Sequence, residues 1–406
     1  MDKSLLKLGE PLRWDIYNAA GSRIFRKGFI FRTKESLLRL KEIDLFREVS
    51  EGTVTPEQAQ PESTTPATRH RKVMYEFASG NPERQQQIGG NIFYFLDYCI
   101  ASEATICKQI LNGATDQAEA LLQLIEEISF AYRCAADACL GAVHMDYAHP
   151  LSSLQPVYTA ILCLMMADGL NLDEHKRNGL VGAALTANLG MYKYFDILVN
   201  RNSQLDAEEQ AYIHAHPQAS NKYLRENGIE DKNWLTTVLQ HHERGDGSGY
   251  PARLTHDEIL PEASILAAID TYIAMVTPRA YRKPLPPKVA LQRIYKAAVA
   301  RDDVIGIGLI KQLGIYPPGT LVRLANQEIG VVVERNQQES VAPRVAVIGN
   351  VMGACYSEYP VRDSASPTYR IIDVYQSASP VQIDMNKLWS EPLPGISLDD
   401  DRSLSC

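Results

Sequence analysis

The chain has 406 residues, more than one hydrophobic core usually organises, so two or three domains are expected. Its 49 acidic residues outnumber 41 basic ones, and the net charge of −8 argues against duplex nucleic acid and anionic membrane as partners, since both call for a basic surface. No apolar run approaches the ~18 residues of a membrane span, and MDKSLLKLGEPLRWD lacks the apolar core of a signal peptide, so a cytoplasmic location is expected.

In chain order, residues 1–50 predict a small leader: apolar residues alternate on either side of Ala20-Gly21-Ser22, as in a β-hairpin, and a short helix follows from Lys34 to Leu45. Residues 51–70, rich in Pro, Thr, Glu and Gln, predict a disordered linker. From 71 to 144, and again from 145 to 315, the pattern is helical, with apolar residues recurring at three and four in Ala118–Val143 and in Leu154–Leu170. Asp173 and Glu174 cap the next helix; Leu205, Asp206 and Glu208 open another that brings His216 inward. His214, two residues away, falls on a different face and is expected in solvent. Residues 316–380 predict a small antiparallel β module, and 381–406 a loose tail. The seven cysteines are odd in number, lie mostly in apolar helical runs and read as buried thiols.

The densest chemistry is HHERGDGSGYP, from His241 to Pro251, which packs two adjacent imidazoles, two acids and a glycine-rich turn together. Adjacent histidines on a regular backbone point in different directions, so the pair can serve two metal ions, or one metal and one substrate oxygen. Gly247 and Gly249 are expected to turn the backbone with positive φ, and Pro251 to stiffen the exit. The bland alternative is a polar turn that caps a helix.

His241, His242, Glu243, Asp246, Gly247, Gly249, Tyr250 and Pro251 resemble the HHExxDGxGYP signature of the HD-GYP branch of the HD superfamily of metal-dependent phosphohydrolases. Two further blocks extend the resemblance. In Leu205–Leu224 the family's metal-binding His before Pro falls on His216 and Pro217. In Ser264–Pro284 its Asp ligand falls on Asp270 and its Arg-x-Tyr-Arg on Arg279, Tyr281 and Arg282. Three spaced blocks, covering roughly residues 145–315, make chance agreement a poor explanation.

The resemblance implies a mainly α fold, an HD-superfamily helical bundle, here with small β-rich N-terminal and C-terminal modules of the kind that flank some relatives. It implies a divalent metal (Fe, Mn, Zn or Ni) on His216, His241, His242 and Asp270, and cyclic di-GMP or a related cyclic dinucleotide near Arg279, Tyr281, Arg282 and Lys283. It also implies contacts between the loop of Glu243, Asp246, Gly247, Gly249, Tyr250 and Pro251 and diguanylate cyclase (GGDEF) domains. The Arg279, Arg282 and Lys283 cluster can attract an anion despite the overall charge, because local charge prevails at short range; a surface helix end explains it equally well.

One block departs from the pattern. Where the family reads AALLHDIGK, with a terminal His ligand and a bridging Asp, this chain reads AALTANLGM from Ala183 to Met191, placing Ala187 and Asn188 at the dyad. The family's earliest His falls on Ser153, and His149 lies one helical turn before it, about 5 Å away along the axis. Two cations held about 3.5–4 Å apart need a shared anion. Asn188 is neutral and bridges poorly, so no catalytic residue is assigned and one ion or none is expected.

Two functions stay open: a signalling protein with impaired or absent hydrolysis, acting by binding cyclic di-GMP or a GGDEF partner, and an active cyclic di-GMP phosphodiesterase whose atypical metal centre is completed by Asn188 and His149. A purely structural adaptor is a third; it predicts that Arg279 and Arg282 are dispensable.

Overall fold

The computed structural model describes residues 16–17, 23–25, 92–201, 205–279, 282–299, 303–336, 338–376 and 383–390. The chain divides into two units, 1–65 and 66–406. In the first, β1 (Ile16–Tyr17) pairs antiparallel with β2 (Arg23–Phe25), Ile16 opposite Phe25. The expected helix at 34–45, the linker at 51–70 and most of the tail lie outside the described residues.

The second unit is mainly α, a helical bundle with a small antiparallel sheet. Its helices are α1 (Ile92–Leu111), α2 (Ala118–Met145), α3 (Leu151–Gly169), α4 (Glu174–Thr186), α5 (Tyr192–Val199), α6 (Ala207–Glu226), α7 (Lys232–Gln240), α8 (Pro261–Val276), α9 (Pro287–Val299) and α10 (Val304–Leu313). At the centre, α3 packs against α1, α2, α4, α5, α8 and α10 and is buried continuously from Ser152 to Ala167. By length and composition it could cross a membrane, which the sequence reading did not anticipate, but its side chains are the core of this bundle. Cys99, Cys107, Cys139 and Cys163 are buried thiols, whereas Cys355 is exposed.

Three helices that bear candidate ligands are fastened to one another by local chemistry. Asp173 caps α4 by accepting from Lys176 N, and Asp206 caps α6 in a reciprocal capping box with Glu209. Gly182 of α4 lets the ring of Trp234 on α7 come so close that a Cβ would sit 2.5 Å from it, and Trp234 Nε1 donates to Thr186 Oγ1 at 2.9 Å. Asn221 Nδ2 of α6 donates to Leu235 O of α7 at 2.9 Å.

The sheet comprises β3 (Leu321–Leu324), β4 (Glu328–Glu334), β5 (Arg344–Asn350), β6 (Val361–Asp363) and β7 (Ile371–Val374) in the order β6-β5-β4-β3-β7, antiparallel throughout. Alternate residues face opposite sides. Val332, Val345 and Val347 pack with Val322 and Leu324, while Val331, Val333, Ala346 and Ile348 pack with Leu388 of the short α11 (Met385–Leu388).

The sheet is seated on α2. Trp389 meets Gly141 and Phe93 and donates through Nε1 to Val333 O; Arg335 grips Asp137 with its backbone N at 3.2 Å and Nε at 2.5 Å. Gly319, at φ +86°, turns where a Cβ would lie 2.9 Å from Gly141 O. His144 of α2 then joins three elements. Its Nδ1 lies 2.8 Å from both Leu140 O and Pro318 O, and its Nε2 2.7 Å from the Tyr272 hydroxyl of α8. Burial holds this imidazole neutral, with its pKa lowered to about 4, so Nδ1 donates to the carbonyls and Nε2 accepts.

Candidate metal centre

The centre begins with a proline. Pro217 has no N–H, so the carbonyl of Ile213, four residues earlier in α6, has no intrahelical donor. His216 uses it: Nδ1 lies 2.5 Å from Ile213 O. His241 does the same at the end of α7, where carbonyls run out of helical donors, with Nδ1 2.7 Å from Val238 O. A carbonyl can only accept, so Nδ1 carries the proton on both rings and each Nε2 presents a lone pair. Those Nε2 atoms face each other at 3.2 Å, and the ligand nitrogens of His216, His241 and His242 all lie within 4.8 Å of one another.

Adjacent histidines were expected to diverge. They converge, their ring centroids 4.1 Å apart, because α7 stops at Gln240 and the regular backbone on which the expectation rested has already ended. Beyond it the chain folds into a compact loop. The Glu243 carboxylate, only 5% exposed, accepts from the backbone N of Ala252 (2.6 Å), Arg253 (3.1 Å) and Leu254 (3.0 Å), so it staples the loop from within and does not stand out toward a partner. Asp246 accepts from Ser248 N and Oγ, closing an Asx turn. Gly247 has φ +73° as expected, whereas Gly249 does not share that conformation; it is glycine because a Cβ would come within 2.4 Å of Arg244 N. The Tyr250–Pro251 peptide is cis, and the Tyr250 ring stacks between His242 (4.7 Å, 26°) and His214 (4.3 Å, 25°).

Asp270 of α8 lies outside the tight triad but in its field. Its Oδ1 accepts from Gln155 Nε2 of α3 at 3.0 Å; burial raises its pKa, and the neighbouring His241 ring and the Arg279 charge oppose that rise. The 187–190 turn is clamped to α6, where Ser220 Oγ donates to Ala187 O (2.7 Å) and accepts from Gly190 N (2.8 Å). Ser220 is one turn from His216, so the backbone of the turn that carries Ala187 and Asn188 packs beside the helix turn that bears that ligand.

A family model described as "HD domain" matches residues 137–303. A cyclic di-GMP phosphodiesterase of Pseudomonas aeruginosa is 26% identical over 333 residues, covering 79% of this chain and 78% of its own length. Residues 137–303 thus carry an HD domain. PdeB, a cyclic di-GMP phosphodiesterase of Borreliella burgdorferi, is also 26% identical, over 48% of this chain and 52% of itself. A solved HDGYP protein of Bdellovibrio bacteriovorus superposes with a TM-score of 0.47 at 15% identity, over 75% of this chain and 96% of that one.

The HD-GYP family's metal requirement can be tested against the donor set. Two neutral imidazoles whose lone pairs meet at 3.2 Å repel unless a cation or a proton lies between them. Burial disfavours the proton: it lowers the pKa of His216 to about 3 and that of His241 as well, and His242, also desolvated, is lowered further by its two neighbours. A cation between them satisfies the facing His216 and His241 rings, with His242 close by. Two nitrogens each about 2.0–2.1 Å from one ion stand at most about 4.2 Å apart, so the observed separation fits.

The remaining HD-GYP assignments divide. The Arg282 guanidinium donates to Met275 O at 3.0 Å and to Ala274 O, so it caps the C-terminal end of α8. Arg279 pairs with Arg282 through the backbone and acts electrostatically on Asp270; Lys283 is exposed, and Tyr281 lies outside the described residues. His149 does not approach the triad. Its Nε2 pairs with Asp97 at 2.8 Å, and with Ser153 it lines a separate cavity of about 440 Å³ between α1, α3 and α5. Gln155, two residues beyond the Ser153 on which the family's earliest His falls, is the α3 residue bonded to Asp270. Gln155, His144 and Tyr272 carry no motif, and His214, exposed as expected, stacks on Tyr250 although nothing in the sequence signalled that contact.

Proposed function

We propose that this chain is a cyclic-dinucleotide signalling protein that binds one divalent ion on His216, His241 and His242, with Asp270 completing the set, and whose hydrolysis is impaired or absent. The observation that carries the reading is that three imidazoles converge within 4.8 Å, while the sequence has Ala187 and Asn188 where the family resemblance puts a second ligand and a bridging carboxylate. The ion, when bound, supplies a Lewis acid that attracts a phosphoryl oxygen. The protein's own residues orient the rings through orphan carbonyls, exclude water by burial and place the Arg279 charge beside Asp270. The ligand is cyclic di-GMP or a related cyclic dinucleotide. The exposed rim of the loop, Arg244 to Asp246 with Ser248, is the surface offered to a GGDEF-type partner.

The names of the relatives favour a second reading, an active cyclic di-GMP phosphodiesterase with an atypical metal centre. One experiment separates the two. Metal content and cyclic di-GMP turnover are measured for the unaltered protein beside the double substitution Ala187→His with Asn188→Asp. The expected result is about one bound ion and negligible turnover, with a rise in both for the double variant. Robust turnover by the unaltered protein, abolished by His241→Ala, would refute the first reading.

A further inference from the structure

Two of the three clustered imidazoles are aimed by hydrogen bonds from Nδ1 to a carbonyl. The third is not: among the described residues, neither a hydrogen bond nor an ion pair holds the His242 ring. A His χ2 torsion is broad, so such a ring would otherwise turn freely about its Cβ–Cγ bond. What restrains it is Tyr250. The phenol lies nearly parallel to His242, with centroids 4.7 Å apart, and its opposite face is covered by His214 at 4.3 Å; its edge also meets His216 at 6.4 Å. The backbone adds a fixed hinge, since Tyr250 N donates to the carbonyl of His242 itself at 3.2 Å, so the two residues move as one.

We propose that Tyr250 is a positioning residue: stacked between His214 and His242, it fixes the rotation of the His242 imidazole so that the ring nitrogen faces His216 and His241. The inference rests on the metal-binding reading above. It gives the tyrosine of the Gly-Tyr-Pro turn an inward task, done by the face of its ring and not by its hydroxyl, and makes His214, a residue on the outer face of α6, the outer leaf of a three-ring stack. Residues that orient metal ligands from outside the coordination shell typically change affinity by 10–100-fold when altered.

The test uses the full chain and cobalt(II) alone as the probe, read by the visible absorption of the bound ion. Tyr250→Phe keeps the stack and should bind cobalt within about twofold of the unaltered protein, whereas Tyr250→Leu should bind at least about tenfold more weakly, with an altered absorption band. His214→Ala, an exposed change on α6, keeps the loop intact and should weaken binding by a few fold. Equal loss in Tyr250→Phe and Tyr250→Leu would overturn the proposal in favour of the hydroxyl, and unchanged binding in both Tyr250→Leu and His214→Ala would overturn it outright. No cobalt binding by the unaltered protein would instead sink the metal reading on which it rests.

Discussion

Glu243 makes the sharpest prediction about the loop that carries the triad's two adjacent histidines. Its carboxylate takes three backbone N–H groups in a row, at 2.6, 3.1 and 3.0 Å. Hydrogen bonds to a charged acceptor are worth about 1.5–3 kcal/mol each, but they share one carboxylate and the side chains of Ala252 and Arg253 are exposed, so water can recover part of the loss. Removing the acceptor in Glu243→Ala should therefore cost the loop about 3 kcal/mol, not the simple sum. Glu243→Gln keeps one acceptor oxygen and turns an NH₂ toward a donor, and should cost about half as much. Because about 1.4 kcal/mol is a factor of ten, the amides of residues 252–254 should exchange with deuterium about a hundredfold faster in the Ala variant and about tenfold faster in the Gln variant. Exchange within twofold of the unaltered protein in Glu243→Ala would show that the turn holds itself together and that the carboxylate is only a passenger.

Gly190→Ala should drive the 187–190 turn away from α6, since its Cβ would lie 2.5 Å from His216 O and 2.8 Å from Ala219 Cβ. A cost of about 1–3 kcal/mol in thermal melts, with weaker metal binding, is expected, whereas Gly308→Ala, whose methyl meets Met166 Cε at 3.5 Å, should leave metal binding untouched; equal metal affinity in both variants would contradict this. Glu127, 7% exposed, has its pKa raised by desolvation to about 7 from 4.5. Between those values the folded chain holds a proton that the unfolded chain has released, so this group's contribution is full below pH 4.5 and is lost as pH rises through 7, by about 3 kcal/mol. Glu127→Gln should flatten that part of the urea-midpoint profile between pH 5 and 8, and an unchanged slope would count against the assignment.

The sequence shows most clearly what depends on near neighbours. Asp173 and Asp206 announce their helices by capping chemistry, and His216-Pro217 states its own geometry once the missing proline N–H is considered. What stayed hidden depends on where helices stop and how they are rotated in the bundle. The convergence of His241 and His242 follows from α7 ending at Gln240, a boundary the periodicity does not mark. Gln155 faces Asp270 because of how α3 is turned about its axis, which sequence spacing alone does not fix. The hold of Arg282 on the end of α8 was equally hidden, because the carbonyls that accept from it lie seven and eight residues back.

The match to the HD domain model stops at residue 303, yet the molecule does not divide there. Pro318 is bonded to His144, Gly319 is set against Gly141, and Arg335 grips Asp137, all on the same stretch of α2, while the other nitrogen of His144 holds Tyr272, two residues from Asp270. The sheet is therefore not freely exchangeable between relatives. A recombination that brought in a foreign sheet would have to carry the matching Asp137, Gly141 and His144 positions with it, or leave the helix that bears Asp270 without its brace.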